Sequence, residues 1–104
     1  MTAKDFLFSL PDKVNKDAVE GLETLFHFDF GGEEGKYTLL LNDGVLTASE
    51  GHNGEAKCKV NSSEENFIKL VKGDLNPMMA LLTGKLKISN QGEMLKYAKI
   101  FGLM

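Results

Sequence analysis

The stretch SSEENFIKLVKGDLNPMMALLTGKLKIS, Ser62 to Ser89, reads as two short helices and a strand separated by clear stops. Ser62 and Glu65 have capping-box spacing: the hydroxyl can accept a free helix N–H while the carboxylate reaches back to the cap. Phe67, Leu70 and Val71 form one apolar stripe, and Gly73 supplies a left-handed C-cap. Asn76 followed by Pro77 predicts the next helix start, because the amide caps and proline lacks only an N–H that would be unpaired there. Met78, Leu81 and Leu82 form its stripe, and Gly84 ends it. From Lys85 the period changes to two, with Leu86 and Ile88 on one side and Lys85, Lys87 and Ser89 on the other, as in a half-buried strand.

Upstream, the order reads helix, then strands. Asn15 is placed to cap a first helix with Ala18, Leu22 and Leu25 on its inner stripe, interrupted by Gly21 at a cost of about 1 kcal/mol relative to alanine. Phe26, Phe28 and Phe30 alternate with His27 and Asp29, which predicts a strand buried on one side only. Gly31 to Gly35 is a loop. Tyr37 to Leu41 and Val45 to Ser49 are strands joined by Asn42-Asp43-Gly44, a strong hairpin signal because these residues tolerate positive φ. Lys57 to Asn61 is a fourth strand with Cys58 and Val60 inward. The last helix, about Gly92 to Phe101, is apolar at Met94, Leu95, Tyr97, Ala98, Ile100 and Phe101, a stripe wider than packing on a sheet requires. Four of the five methionines, Met78, Met79, Met94 and Met104, lie in this helix region or the Asn76–Leu82 segment. Methionine adapts to several ligand shapes, but the same residues equally fill a core or cover a dimer interface.

The spacing of Phe67, Leu70, Gly73, Asn76-Pro77, Ala80 and Gly84-Lys85-Leu86-Lys87 resembles the core motif of the sterol carrier protein 2 (SCP-2) family of small lipid carriers. Cys58 to Asn61 resembles that family's preceding strand, and Tyr37 to Gly44 its aromatic-led second strand and turn. Leu10-Pro11 through Asn15, Gly21-Leu22 and Phe26 to Phe30 resemble the opening helix and first strand of short bacterial-type members. The resemblance implies one α+β domain over residues 1–104: a five-stranded, mostly antiparallel sheet with helices covering one face and an apolar cavity between them. It implies a lipid ligand (fatty acid, fatty acyl-CoA, sterol or phospholipid) that is carried and not transformed. The ligand-binding positions it implies are Phe67, Leu70, Met78, Leu81, Leu82, Met94, Leu95, Ala98 and Phe101. Leu81 and Leu82 stand where the family often has aromatics, which implies a differently shaped pocket. Asn90 stands at a usual glycine and is expected to keep the same left-handed turn. Gly92 stands at a usual methionine or leucine and is expected to loosen the last helix.

Composition narrows the role. With 104 residues, 42% of them hydrophobic and 26% charged, the chain suits a compact domain and is neither disordered nor membrane-spanning. The first ten residues contain Lys4 and Asp5 and lack a signal-peptide core, and the lone Cys58 suits a reducing compartment, so a cytoplasmic location is expected. The final Gly102-Leu103-Met104 is not a peroxisomal tripeptide. A net charge of −3 and a pI of about 5.3 oppose nucleic-acid binding. Lys85, Lys87, Lys96 and Lys99 are locally basic; they suit a phosphate, a carboxylate or transient contact with an anionic membrane, or are a solvated face. A homodimer through the last helix is the competing use of its stripe, in a protein-interaction or accessory module without lipid transport. No enzyme chemistry is expected. His27 and His52 have no metal-ligand spacing with each other or with Cys58, the aspartates are scattered, and Gly31 to Gly35 is acidic and unlike a phosphate loop. No cofactor is implied.

Overall fold

The computed structural model describes residues 2–14 and 16–98. Its first element, α1 (Ala3–Lys13), was not expected from the sequence pattern. Thr2 caps it: the Thr2 hydroxyl accepts the Asp5 N–H while the Asp5 carboxylate accepts the Thr2 N–H. Ala3, Leu7 and Leu10 then fall on one buried stripe. Pro11 lies in the last turn, where it interrupts little of the helix. The helix expected after Asn15 is a single turn, α2 (Lys16–Val19). Gly21, with φ of +75°, closes this turn; it is a terminator and not an internal weakness. Leu25 accordingly belongs to a strand. Asn15 and the side chain of Ala18 lie outside the described residues.

Five strands follow the expected sequence: β1 (Thr24–Asp29), β2 (Lys36–Asn42), β3 (Val45–Glu50), β4 (Cys58–Ser62) and β5 (Leu86–Ile88). Their order in the sheet is β3-β2-β1-β4-β5. The β1–β4 pair is parallel and the other three pairs are antiparallel, so the α+β, mostly antiparallel architecture holds. Asp43 (φ +52°) and Gly44 (φ +78°) make the β2–β3 connection, a two-residue turn with both φ values positive, which matches the twist of the flanking strands.

Phe26 and Phe28 project from β1 into the core beneath the helices and are fully buried. Phe67 on α3 (Glu64–Lys72) meets Phe28 at 5.7 Å between ring centroids, Phe30 at 4.9 Å and Phe6 of α1 at 5.7 Å. Tyr97 closes edge-on over Phe26 at 6.0 Å. The opposite sheet face is not open along β1. To reach β4, the chain leaving β3 crosses β2 and β1, laying Gly51 to Asn53 over His27 and Thr38, both buried. The Thr38 hydroxyl donates to Gly51 O at 2.7 Å and accepts the Asn53 N–H at 2.9 Å. The one-sided strand expected from the phenylalanine alternation is therefore covered on both sides at His27.

Helix α3 starts at Ser63, whose hydroxyl accepts the Asn66 N–H at 3.1 Å. The cap lies one residue beyond Ser62, which ends β4. Gly73 terminates α3 with φ of +84° as expected. Asn76 caps α4 (Pro77–Leu82), accepting from the Met78 and Met79 N–H groups. Asn90 is not left-handed: it is extended (φ −139°) and caps α5 (Gln91–Lys96) through the Glu93 N–H at 3.1 Å. No helix among the described residues is long and apolar enough to cross a membrane.

Candidate functional site

Between α4, β5 and α5 runs an apolar groove of about 350 Å³. Its floor is the edge strand, where Leu86 and Ile88 alternate with Lys87 and turn toward the helices. One wall is Pro77, Met78 and Leu81 of α4; the other is Met94, Leu95 and Ala98 at α5 and just beyond it. Asn76 and Gln91 form the polar rim. Depth is graded: Met94 and Ala98 are buried, whereas Met78 and Leu95 are each 67% exposed at the mouth.

Six residues of helix cannot hold a wall by themselves. Polar bonds fasten α5 on its far side. The Thr24 hydroxyl donates to Glu93 Oε2 at 2.5 Å, Tyr97 Oη donates to Glu23 O at 3.2 Å, and Asn90 Nδ2 donates to Lys57 O at 3.2 Å. The groove face of α5 is thus left to apolar side chains. Ala80, fully buried, lets α4 approach the core closely.

Of the positions implied to contact ligand, Met78, Leu81, Met94, Leu95 and Ala98 meet at this groove. Phe67 and Leu70 do not line it. Both are 3% exposed in the core, where Phe67 is enclosed by other aromatic rings. Leu82 does not line it either; α4 buries Ala80 instead and leaves Leu82 80% exposed. Phe101 lies outside the described residues. Pro77, Leu86 and Ile88 line the groove without having been singled out as contacts. The Leu86/Ile88 alternation was the signal, since it predicted a half-buried strand without showing what covered it.

A larger cleft of about 690 Å³ lies between the start of α1, the Phe30–Tyr37 region and the end of β3. Lys4, Glu34, Lys36, Glu50 and Glu64 surround it, and Lys4 is paired with Glu50 at 2.5 Å. Its charged lining suits water better than a hydrocarbon chain.

The histidines come together although they are distant in sequence. Their rings stack at 4.4 Å with planes 1° apart. His27 Nε2–H donates to Asn53 O at 3.0 Å and His52 Nε2–H to Phe28 O at 2.9 Å, so the pair fastens the β3–β4 crossover to the sheet. Among the described residues no three His, Cys, Asp or Glu side chains are grouped to hold a metal. The Cys58 thiol is fully buried and donates to Asn90 O at 3.4 Å; burial pushes its pKa up, away from a reactive thiolate.

The profile of the SCP-2 sterol transfer family matches residues 3–104. The chain belongs to this family. Hydroxysteroid dehydrogenase-like protein 2 of Xenopus tropicalis is 35% identical over 94 residues, covering 88% of this chain and 22% of the relative. The SCP-2 chain thus spans about a fifth of that protein's length. A fatty acid-binding protein of Yarrowia lipolytica is 29% identical over 97 residues, covering 88% of this chain and 74% of the relative. The solution structure of palmitated SCP2L2 from Aedes aegypti superposes with a TM-score of 0.72 at 15% identity, covering 97% of this chain and 95% of the other. At that identity the likeness concerns the SCP-2 fold alone.

Proposed function

We propose that the groove between α4, β5 and α5 binds the apolar chain of a fatty acid, fatty acyl-CoA, sterol or phospholipid, and that the protein carries this lipid without transforming it. The observation that supports the reading is the lining: six large apolar side chains converge together with Pro77 and Ala98, with polar groups only at the rim. Binding sites for small apolar ligands have this arrangement and volumes from about 300 Å³ upward. Each methylene removed from water contributes about 0.8 kcal/mol before ordering costs reduce the total. The Met78 and Met94 side chains adapt to ligands of different shape. The similarity to the Yarrowia fatty acid-binding protein supports the same ligand class.

Mass spectrometry of an organic extract from protein purified without detergent, paired with displacement of a fluorescent fatty acid, tests the reading. A stoichiometric co-purified lipid that competes with the probe is expected. Leu95→Glu provides the local control. Leu95 is exposed in the free protein, so the substitution is compatible with folding, yet it places a charge against the bound chain. We expect probe affinity to fall at least about tenfold, or 1.4 kcal/mol, with an unchanged circular dichroism spectrum. Wild-type protein that neither retains lipid nor binds the probe overturns the proposal. Met79 and Leu82, exposed beside the groove, would then favour the rival use of this face as a protein-docking or homodimer surface.

A further inference from the structure

The segment 76–98 that walls the groove carries four charged side chains, and none of them lines it. Helix α4 has no charged residue. On β5, Lys87 alternates with Leu86 and Ile88 and so points to the other side of the sheet, where it pairs in register with Asn61 and, with Lys85, borders a separate depression. On α5, the Glu93 carboxylate accepts the Thr24 hydroxyl, and Lys96 Nζ lies 5.5 Å from the centroid of the Tyr97 ring. The hydrogen-bonding side chains at the groove are Asn76 and Gln91. Asn76 Oδ1 accepts the Met78 and Met79 N–H groups, which leaves its Nδ2 donors. Gln91 is exposed at the rim and offers both a donor and an acceptor. Among the described residues, neither Asn76 Nδ2 nor the Gln91 amide has a hydrogen-bond partner. The helix starts add little for an anion, because Asn76 and Asn90 already take the N–H groups of Met78, Met79 and Glu93.

We propose that the groove is specific for a single-chain lipid whose polar end is an uncharged hydroxyl, as in a fatty alcohol or a monoacylglycerol, and that the Asn76 and Gln91 amides hold that hydroxyl. The proposal rests on the carrier reading above and narrows its ligand class. Volume sets the number of chains: about 350 Å³ lies near the lower end of the usual range for ligand sites, which suits one chain and not the two of a phospholipid. The rim sets the head. A hydroxyl both donates and accepts, so it satisfies the Gln91 carbonyl oxygen and an amide N–H together. A carboxylate only accepts, and drawing it into the rim would strip it of water with no cation to balance it. An ionised fatty acid therefore binds through its chain and leaves its head in water, whereas an alcohol gains the rim contacts as well.

Dodecanol and dodecanoate, equal in chain length, are compared as competitors of the fluorescent fatty acid, each inhibition constant corrected for the probe affinity of the variant. Any apolar surface favours the alcohol, so the readout is how the ratio of the two affinities responds to the rim and to pH. Gln91→Leu should lower the alcohol-to-acid ratio at least about threefold, as expected for one lost hydrogen bond. Gln91→Lys supplies a cation and should lower it at least about fivefold, by strengthening dodecanoate. Gln91 is exposed, so both substitutions are compatible with folding. The wild type supplies a test that needs no substitution. Between about pH 8 and about pH 6 the neutral acid becomes more abundant, so dodecanoic acid should bind at least about threefold more tightly at the lower pH, while dodecanol stays constant. A ratio indifferent to both substitutions, or acid binding that is flat with pH, overturns this inference and leaves the carrier reading standing, since both ligands still compete. If neither ligand competes with the probe, the carrier reading fails and this inference fails with it.

Discussion

Cys58 connects burial, pH and reactivity at a single residue. It is fully buried on β4, and desolvation of the thiolate is the largest cause of its raised pKa, with the Glu93 carboxylate acting in the same direction and the Asn90 backbone against it. The fold therefore prefers the neutral thiol. Below the ordinary thiol value of 9.0 both folded and unfolded chains hold the proton, and this contribution to stability is fully present. As pH rises above it, the unfolded chain ionises first, and stability falls until the folded thiol also ionises. We expect the urea midpoint to decline above about pH 9 and Cys58→Ala to remove part of that decline. Tyr97, also raised by burial, should leave a remainder at higher pH. Iodoacetamide should label the native protein far more slowly than the urea-unfolded chain; equal rates would contradict a buried thiol. Sequence pattern did identify Cys58 as an inward core residue, because alternation with Val60 requires only strand geometry. It could not pair His27 with His52, because their stacking depends on the path of the β3–β4 crossover.

At the scale of the element, helix ends separate what local chemistry dictates from what the neighbouring strand dictates. Gly73, Asn76-Pro77 and the Asp43-Gly44 turn were legible because each depends on backbone requirements within a few residues. The start of α3 was displaced by one residue because Ser62 is recruited by β4, where it pairs with Leu86, and the cap passes to Ser63. The displacement is testable with two alanines. Ser63→Ala should cost about 1 kcal/mol through the lost cap, whereas Ser62→Ala should cost less than half as much, since its hydroxyl bonds only to Ser63 O at an exposed position. Urea titrations of both variants decide it, and the reverse ranking would restore the capping box of Ser62 and Glu65. The stripe of α4 illustrates the opposite case. Met78, Leu81 and Leu82 read as an inward face, but a helix of six residues fixes its rotation through contacts, and fully buried Ala80 sets which side meets the core. Helix α1 depends on local signals too: Thr2, Asp5 and the Ala3/Leu7/Leu10 spacing carry it, although the residue pattern is read as a helix only from Asn15 and the family resemblance places an opening helix from Leu10-Pro11 onward.

Across the whole molecule, the five strands and their mixed sheet follow from alternation, turns and the resemblance to the SCP-2 family, whereas the form of the apolar space does not. Local periodicity cannot distinguish an enclosed cavity from an open groove, because that depends on how far two short helices stand apart over the edge strand. An enclosed empty cavity of this size would cost several kcal/mol, about 24 cal/mol for each Å³. A groove open at Met78 and Leu95 avoids most of that cost, because water reaches its mouth. The unliganded protein should therefore fold and melt cooperatively, and lipid should stabilise it further by mass action. A ligand at a hundred times its dissociation constant contributes about 2.7 kcal/mol if it binds only the folded state. For a domain of this size each kcal/mol raises Tm by about 4–8 °C, so saturating fatty acid should raise it by roughly 10–20 °C. At the same ligand concentration Leu95→Glu should abolish at least about half of the increase, while Leu82→Trp, outside the groove, should retain it. The dependence on Leu95 is the decisive part. A detergent-like ligand that binds exposed apolar surface or the unfolded chain would act on both variants alike and would lower Tm, whereas a lipid seated between α4, β5 and α5 raises it only when that wall is intact.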